Sequence, residues 1–204
     1  MRMKRAGRNV VTLMTVLLLV LIAACAPTPK EITPTPGEVT PPSILEPTPE
    51  AERGIIEIRV TDPGLVGVNS ANVTARNIEV HEVAAEEGEW IIIIPGPVTF
   101  DLVKLAEEEE VEILGEEEIT TGSFTQIRMD VDVVEGLTAD NMSYTASVPS
   151  EKLKIVRPFN VEDGVKTILT LDFDGDKSLV MTGEGKFIFK PVVKLLIEKE
   201  KVED

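Results

Sequence analysis

The stretch FTQIRMDVDVV, from Phe124 to Val134, alternates apolar and polar residues. Ile127, Met129, Val131 and Val133 fall on one side, and Gln126, Arg128, Asp130 and Asp132 on the other. A helix would repeat its apolar positions every three or four residues, so a period of two reads as a strand with one buried and one wetted face.

Working outward, the same period recurs on both sides. GIIEIRVTD aligns Ile56, Ile58 and Val60 against Glu57, Arg59 and Thr61. KTILTLDF aligns Leu169, Leu171 and Phe173, and KFIFKPVVKLLIE aligns Phe187, Phe189, Val193, Leu195 and Ile197. EWIIIIP is apolar on both faces, which predicts a central strand or one covered from both sides. Turn formers separate these runs: Asp62-Pro63-Gly64, Pro95-Gly96-Pro97, Thr121-Gly122-Ser123, Asp163-Gly164, Asp174-Gly175-Asp176 and Thr182-Gly183. Short strands at this spacing, without a long helical pattern, predict an all-β chain folded as a single antiparallel β-sandwich, immunoglobulin-like or transthyretin-like.

One run changes phase. In ANVTARNIEVHEV, Val73 and Ala75 share a face while Ile78 and Val80 have the opposite parity. One extra residue restores the alternation, which predicts a β-bulge at Arg76-Asn77, where asparagine tolerates left-handed backbone; two strands joined by a bend would serve as well. Pro191 predicts an edge position or a second bulge, since it cannot donate to a ladder.

The N-terminal part follows other rules. Arg2, Lys4, Arg5 and Arg8 precede an apolar run from Val10 to Ala24, too short to span a hydrocarbon core of about 30 Å comfortably. A basic start, a short apolar run and small residues read as a secretory signal over 1–24. Ile22-Ala23-Ala24-Cys25 resembles the bacterial lipobox, and the resemblance implies that Cys25 becomes the first residue and carries a diacylglycerol. The competing readings are an ordinary signal with an incidental cysteine and an uncleaved anchor helix. Residues 25–53 hold the candidate lipidated cysteine and a linker with 8 of the 14 prolines; it predicts an extended, disordered tether reaching roughly 85 Å. The globular domain is expected over 54–197, followed by a charged tail over 198–204.

Cys25 is the only cysteine, so no disulfide can form within the chain, and with the thiol used for lipid none is left for catalysis or metal. The formal charge of −16 becomes −20 once the four basic residues of the signal are removed. That balance argues against nucleic acid as a partner, because nucleic-acid binding requires a basic footprint. It also argues against lying flat on anionic headgroups. The expected address is the cell envelope, on the extracytoplasmic face of a membrane.

The blocks FDLVKL, GSFTQIRMDV, SVPSEKLKIVRPFNV, KTILTLDFDGDKSLV and GKFIFKPVVKL resemble, in order, those of the bacterial and archaeal domain of unknown function 4382, and GIIEIRVTDPG…VNSANVTARNIEVH fits its opening. The resemblance runs from about Gly54 to Ile197. It implies a secreted or lipid-anchored all-β module without an assigned activity. Glu151 replaces a usual glycine before KLKIV, and the segment Glu107 to Glu118 is unusually acidic.

Candidate chemistry is sparse. His81 is the only histidine and therefore the only imidazole base for a nucleophilic triad, and no Gly-x-Ser-x-Gly elbow accompanies it. Asp130 and Asp132 lie on the polar side of a strand, where acids are ordinary. In DFDGDKS, Asp172, Asp174 and Asp176 imitate positions 1, 3 and 5 of a calcium loop. Lys177 and Gly183 then stand where the loop needs its glycine and bidentate acid. A turn capped by its acids is the preferred reading, with calcium as the alternative cofactor. The 8 glutamates between Glu107 and Glu118 read as a solvated rim, or as a site for a cationic partner or loosely held divalent ions. Asn72-Val73-Thr74 and Asn141-Met142-Ser143 match the glycosylation triplet, a weak match in a bacterial lipoprotein. The expectation is a non-catalytic, lipid-anchored binding or adhesion module with an unknown protein or envelope partner. Its rivals are a structural component of a surface assembly using an edge strand and, third, a calcium-dependent binding protein.

Overall fold

The computed structural model describes residues 51–83 and 88–202; the signal over 1–24, Cys25 and the linker to residue 50 lie outside them. In chain order the elements are β1 (Arg53–Thr61), β2 (Val68–Glu82), β3 (Glu89–Ile94), β4 (Val98–Asp101), helix α1 (Leu102–Glu108), β5 (Glu112–Thr120), β6 (Gly122–Thr138), β7 (Ser143–Ala146), β8 (Lys152–Val161), β9 (Val165–Phe173), the single turn α2 (Gly175–Ser178), β10 (Leu179–Met181), β11 (Phe187–Phe189) and β12 (Val193–Lys201). No helix among the described residues is long and apolar enough to cross a membrane.

The alternation of Phe124 to Val134 makes β6 the spine of a six-stranded sheet ordered β3-β2-β6-β7, with β4 also on β2 and β8 also on β6. A four-stranded sheet runs β12-β9-β1-β5, and β10 and β11 form a two-stranded ribbon. Side chains of both larger sheets share one apolar core: Ile56, Ile58, Leu169, Leu171 and Phe173 from one, Val73, Ile78, Val80, Ile127 and Met129 from the other. The chain is thus an all-β, sandwich-like domain. Phe100 and Phe173 meet across the core with ring centroids 5.5 Å apart.

One pairing is parallel: β1 lies beside β9, with Ile56 opposite Thr167 and Ile58 opposite Leu169. The other strand pairs are antiparallel, including β9 with β12. The bulge falls where the parity change put it. The β2–β6 register shifts between Arg76 and Glu79, and Asn77 is left-handed at φ 48. Its side chain donates to Asp130 Oδ2 at 2.9 Å, so the bulged residue is held by the neighbouring strand.

Four expectations change. EWIIIIP becomes β3, which among the described residues pairs only with β2 and ends the sheet, leaving Ile92 49% exposed. The run around Pro191 splits into β11 and β12, because the proline interrupts the ladder. The 198–204 tail is in part strand, since β12 continues to Lys201. Along β6, inward alternation holds to Val131, after which Val134 is buried in place of Val133 as the register with β2 shifts. Helix α1 is additional: Asp101 caps it, accepting from Val103 N at 3.0 Å, and Leu102, Val103 and Leu105 enter the core.

Candidate functional site

The bulge at Asn77 decides which residues of β2 face away from the core. Beyond it Ile78 and Val80 point in, so Glu79 and His81 point out. Pairing then lays two rows across the outer face of the large sheet. One row is Trp90, His81, Gln126 and Val156; the other is Ile92, Glu79, Arg128 and Lys154.

The rows interlock. Arg128 Nε donates to Glu79 Oε2, and its guanidinium carbon lies 3.5 Å from the centroid of the Trp90 ring. Trp90 also packs against His81, with centroids 4.9 Å apart at 59°. His81 Nδ1 is 3.1 Å from Thr125 Oγ1, so the single histidine is tied to a hydroxyl on the open face of a sheet. Ile92 and Val156 flank the row at 49% and 69% exposed. The result is a rigid arginine–tryptophan stack bordered by uncovered aliphatic residues, with the Oε1 of Gln126 buried and without a hydrogen-bond partner. Neighbouring charges are paired: Lys152 with Asp130 at 2.7 Å and Arg76 with Asp132 at 2.9 Å. Hydrogen bonds from Lys152 and Asn77 hold the Asp130 carboxyl below its ordinary range despite partial burial.

The acidic triplet is differently engaged. Asp174 caps α2, accepting from Lys177 N at 3.2 Å and from Lys177 Nζ at 2.5 Å, and it titrates below the ordinary range mainly through that lysine. Asp176 Oδ1 accepts from Val66 N at 2.9 Å, tying α2 to the β1–β2 loop. Asp172 lies within β9, opposite Lys194. Among the described residues no group of three or more His, Cys, Asp or Glu side chains is placed to hold a metal ion.

Asp62, which the sequence offered only as a turn former, is the more unusual acid. It is 2% exposed, and its Oδ1 accepts from Gly64 N at 2.8 Å while its Oδ2 has no hydrogen-bond partner. Burial pushes the carboxyl up to about 6 against the pull of backbone N–H groups, and the charges of Asp174 and Asp176 add to the rise. Gly175 is required beside it, since a Cβ there would stand 2.3 Å from Asp62 Oδ2.

The edge of the four-stranded sheet bears on the assembly reading. β12 ends that sheet, and Arg157 Nη1 of β8 donates to the carbonyl of Leu195 on it. An edge with an acceptor occupied by a guanidinium is a poorer template for another strand.

Comparison with known proteins assigns a family and leaves the activity open. Among solved structures, one titled "putative cell adhesion protein", from Bacteroides ovatus, aligns at 16% identity over 75% of this chain and 47% of its own, with a TM-score of 0.22. The chain therefore spans about half the length of that protein. No curated protein matches the sequence significantly. The family model of a domain of unknown function, DUF4382, matches residues 53–191, from the first residue of β1 to the proline before β12, and the chain belongs to that family.

Proposed function

We propose that this chain is a lipid-anchored, extracytoplasmic binding or adhesion module that holds a protein partner on the outer face of its large sheet. The observation that carries the reading is the Arg128–Trp90 stack with Ile92 and Val156 uncovered beside it. Tryptophan and arginine are the side chains that most often dominate the energy of protein interfaces, and they do so inside an apolar surround. A stack already fixed by Glu79 loses little conformational freedom on binding. Ile22-Ala23-Ala24-Cys25 supports the anchor, and the acidic balance supports a partner other than nucleic acid. The role is non-catalytic: His81 is committed to Thr125 and Trp90 on an open face.

The test is site-specific photo-crosslinking in the native envelope, with a photoreactive residue at Ile92, at Val156 or at Leu196 of β12. A discrete protein adduct from the first two positions, lost in Trp90→Ala, is the expected result. An adduct from Leu196 alone would replace this reading with strand-edge assembly.

A further inference from the structure

A concavity lies at the start of β8, with a volume of about 500 Å³. Its walls are Pro149, Ser150, Lys152, Leu153 and Lys154 on one side and Phe189, Lys190 and Pro191 on the other. Three of these eight residues are lysines and none is an acid, in a chain with 36 acidic residues against 20 basic ones. Lys152 is neutralised by Asp130 at 2.7 Å. Among the described residues Lys154 and Lys190 form no ion pair, so two cations face the cleft without a counter-charge. Of the other five, Ser150 is polar and Pro149, Leu153, Pro191 and the fully buried Phe189 are apolar.

The walls are fixed by backbone bonds. Phe189 N donates to Ser147 O at 2.8 Å, Lys190 N to Ser178 O at 2.7 Å and Val131 N to Glu151 O at 2.6 Å. Two prolines restrict the connections further. The cleft is therefore built before any ligand arrives, which lowers the entropic cost of binding.

We infer that this cleft binds a small organic anion, an aryl or alkyl body bearing a carboxylate or phosphate, with the charged head at Lys154 and Lys190 and the body against Pro149, Leu153 and Pro191. Size and charge both select a compact ligand. The volume lies within the range of small-molecule sites. Attraction to exposed lysines fades over a Debye length of about 8 Å at physiological salt. A polyanion would extend past the cleft toward Glu151, in an adjoining depression where Lys152 and Arg76 are already paired with Asp130 and Asp132. Lysine is a point charge without the planar fork of arginine, so it accepts either head group and favours the one with more charge. The site adjoins the Trp90 stack, since Lys154 lies opposite Arg128 in the β8–β6 register, but Lys190 and the apolar walls lie outside that row and Trp90 does not line the cleft.

The experiment uses the full-length chain in a nonionic detergent, with phenyl phosphate, benzoate, inorganic phosphate and benzyl alcohol as probes, read by saturation-transfer NMR and by the thermal midpoint. Phenyl phosphate and benzoate should bind, phenyl phosphate the tighter, and each should raise the midpoint by mass action. Lys154→Gln with Lys190→Gln should weaken phenyl phosphate roughly tenfold, as the loss of two exposed attractions implies. Lys104→Gln, on α1, serves as the charge control and should leave binding unchanged. Trp90→Ala should also leave it unchanged, which separates failure of this site from failure of the protein interface. Benzyl alcohol binding as well as the anions, inorganic phosphate binding as well as phenyl phosphate, or a double lysine variant that binds undiminished would each overturn the inference.

Discussion

Arg128 and Trp90, two strands apart in the large sheet, form one unit: the guanidinium carbon lies 3.5 Å from the indole centroid while Nε is held by Glu79. The stack carries stability as well as the proposed recognition. Removing the guanidinium in Arg128→Ala deletes a cation–π contact of about 0.5–1 kcal/mol and strands a mostly buried Glu79 carboxylate. The expected loss is about 1–2 kcal/mol in chemical denaturation, with a red shift of Trp90 emission as water reaches the ring. Arg128→Lys should recover little of either, because an ammonium lacks the planar face. Unchanged emission in Arg128→Ala would refute the stack.

Glu57 makes the corresponding arrangement on the small sheet. It is 3% exposed in β1 and accepts from Lys166 Nζ at 2.9 Å and from Arg59 Nε. Burial pushes its carboxyl up, but the hydrogen bonds and charges of Lys166 and Arg59 outweigh it and hold the group below 4.5. A depressed acid contributes stability that is present above its unfolded value and lost as pH falls through the folded one. Glu57→Gln should therefore cost about 2 kcal/mol at pH 7, the scale for a charge-assisted bond to a buried group. The gap to wild type should close below pH 4. A penalty that persists at pH 3 would mean that shape, not charge, is being measured.

These two clusters show what a linear pattern can and cannot convey. The parity break at Asn77 is a local count, so the bulge and the outward turn of Glu79 and His81 follow from it. Pairing Arg128 with Trp90 depends instead on the register of three strands, which no neighbouring residue encodes. The isoleucines of β3 face both ways, as in a central strand, yet it is an edge whose Ile92 stays exposed; apolar surface left uncovered and apolar surface buried in a core read alike. The parallel β1–β9 pair is hidden for a related reason, since alternation does not distinguish strand direction. Helix α1 did have a local signal, Asp101 ahead of Leu102, Val103 and Leu105, masked by the glutamates that follow.

Asp62 predicts the opposite pH response to Glu57. Its folded value, about 6, lies above the ordinary 3.8, so the folded state binds the proton more tightly than the unfolded chain does. An acid raised in this way costs nothing below its unfolded value, and the cost grows until pH passes the folded one. A rise of about two units corresponds to about 3 kcal/mol lost between pH 4 and pH 7. Asp62→Asn cannot ionise and should lack that slope, whatever its stability at low pH. The check is a denaturation series from pH 4 to pH 7.5 on both proteins; parallel curves would remove Asp62 as the source.

Cys25 carries the proposed anchor. Cys25→Ser should leave the precursor without label from a clickable fatty acid while the β-sheet circular dichroism of the domain is unchanged, because the described strands begin at Arg53. Equal labelling of wild type and variant would end the lipoprotein reading.

Asp174 decides between the two readings of the DFDGDKS segment. As the cap of α2 it engages Lys177 through both backbone and side chain, and Asp176 is committed to Val66 N. A calcium loop must instead turn several carboxylates toward one point, and these two oppose that by pointing at different donors. Asp174→Ala should lower the thermal midpoint with or without calcium, since it removes the side-chain acceptor that caps α2 at Lys177 N and Nζ. Asp174→Asn, which keeps the accepting oxygen, should recover most of the loss. Millimolar calcium and chelator should leave the wild-type midpoint where it stands in high monovalent salt, which screens the Glu107 to Glu118 cluster. A calcium-specific rise that vanishes in Asp174→Asn would show instead that the segment rearranges around the ion.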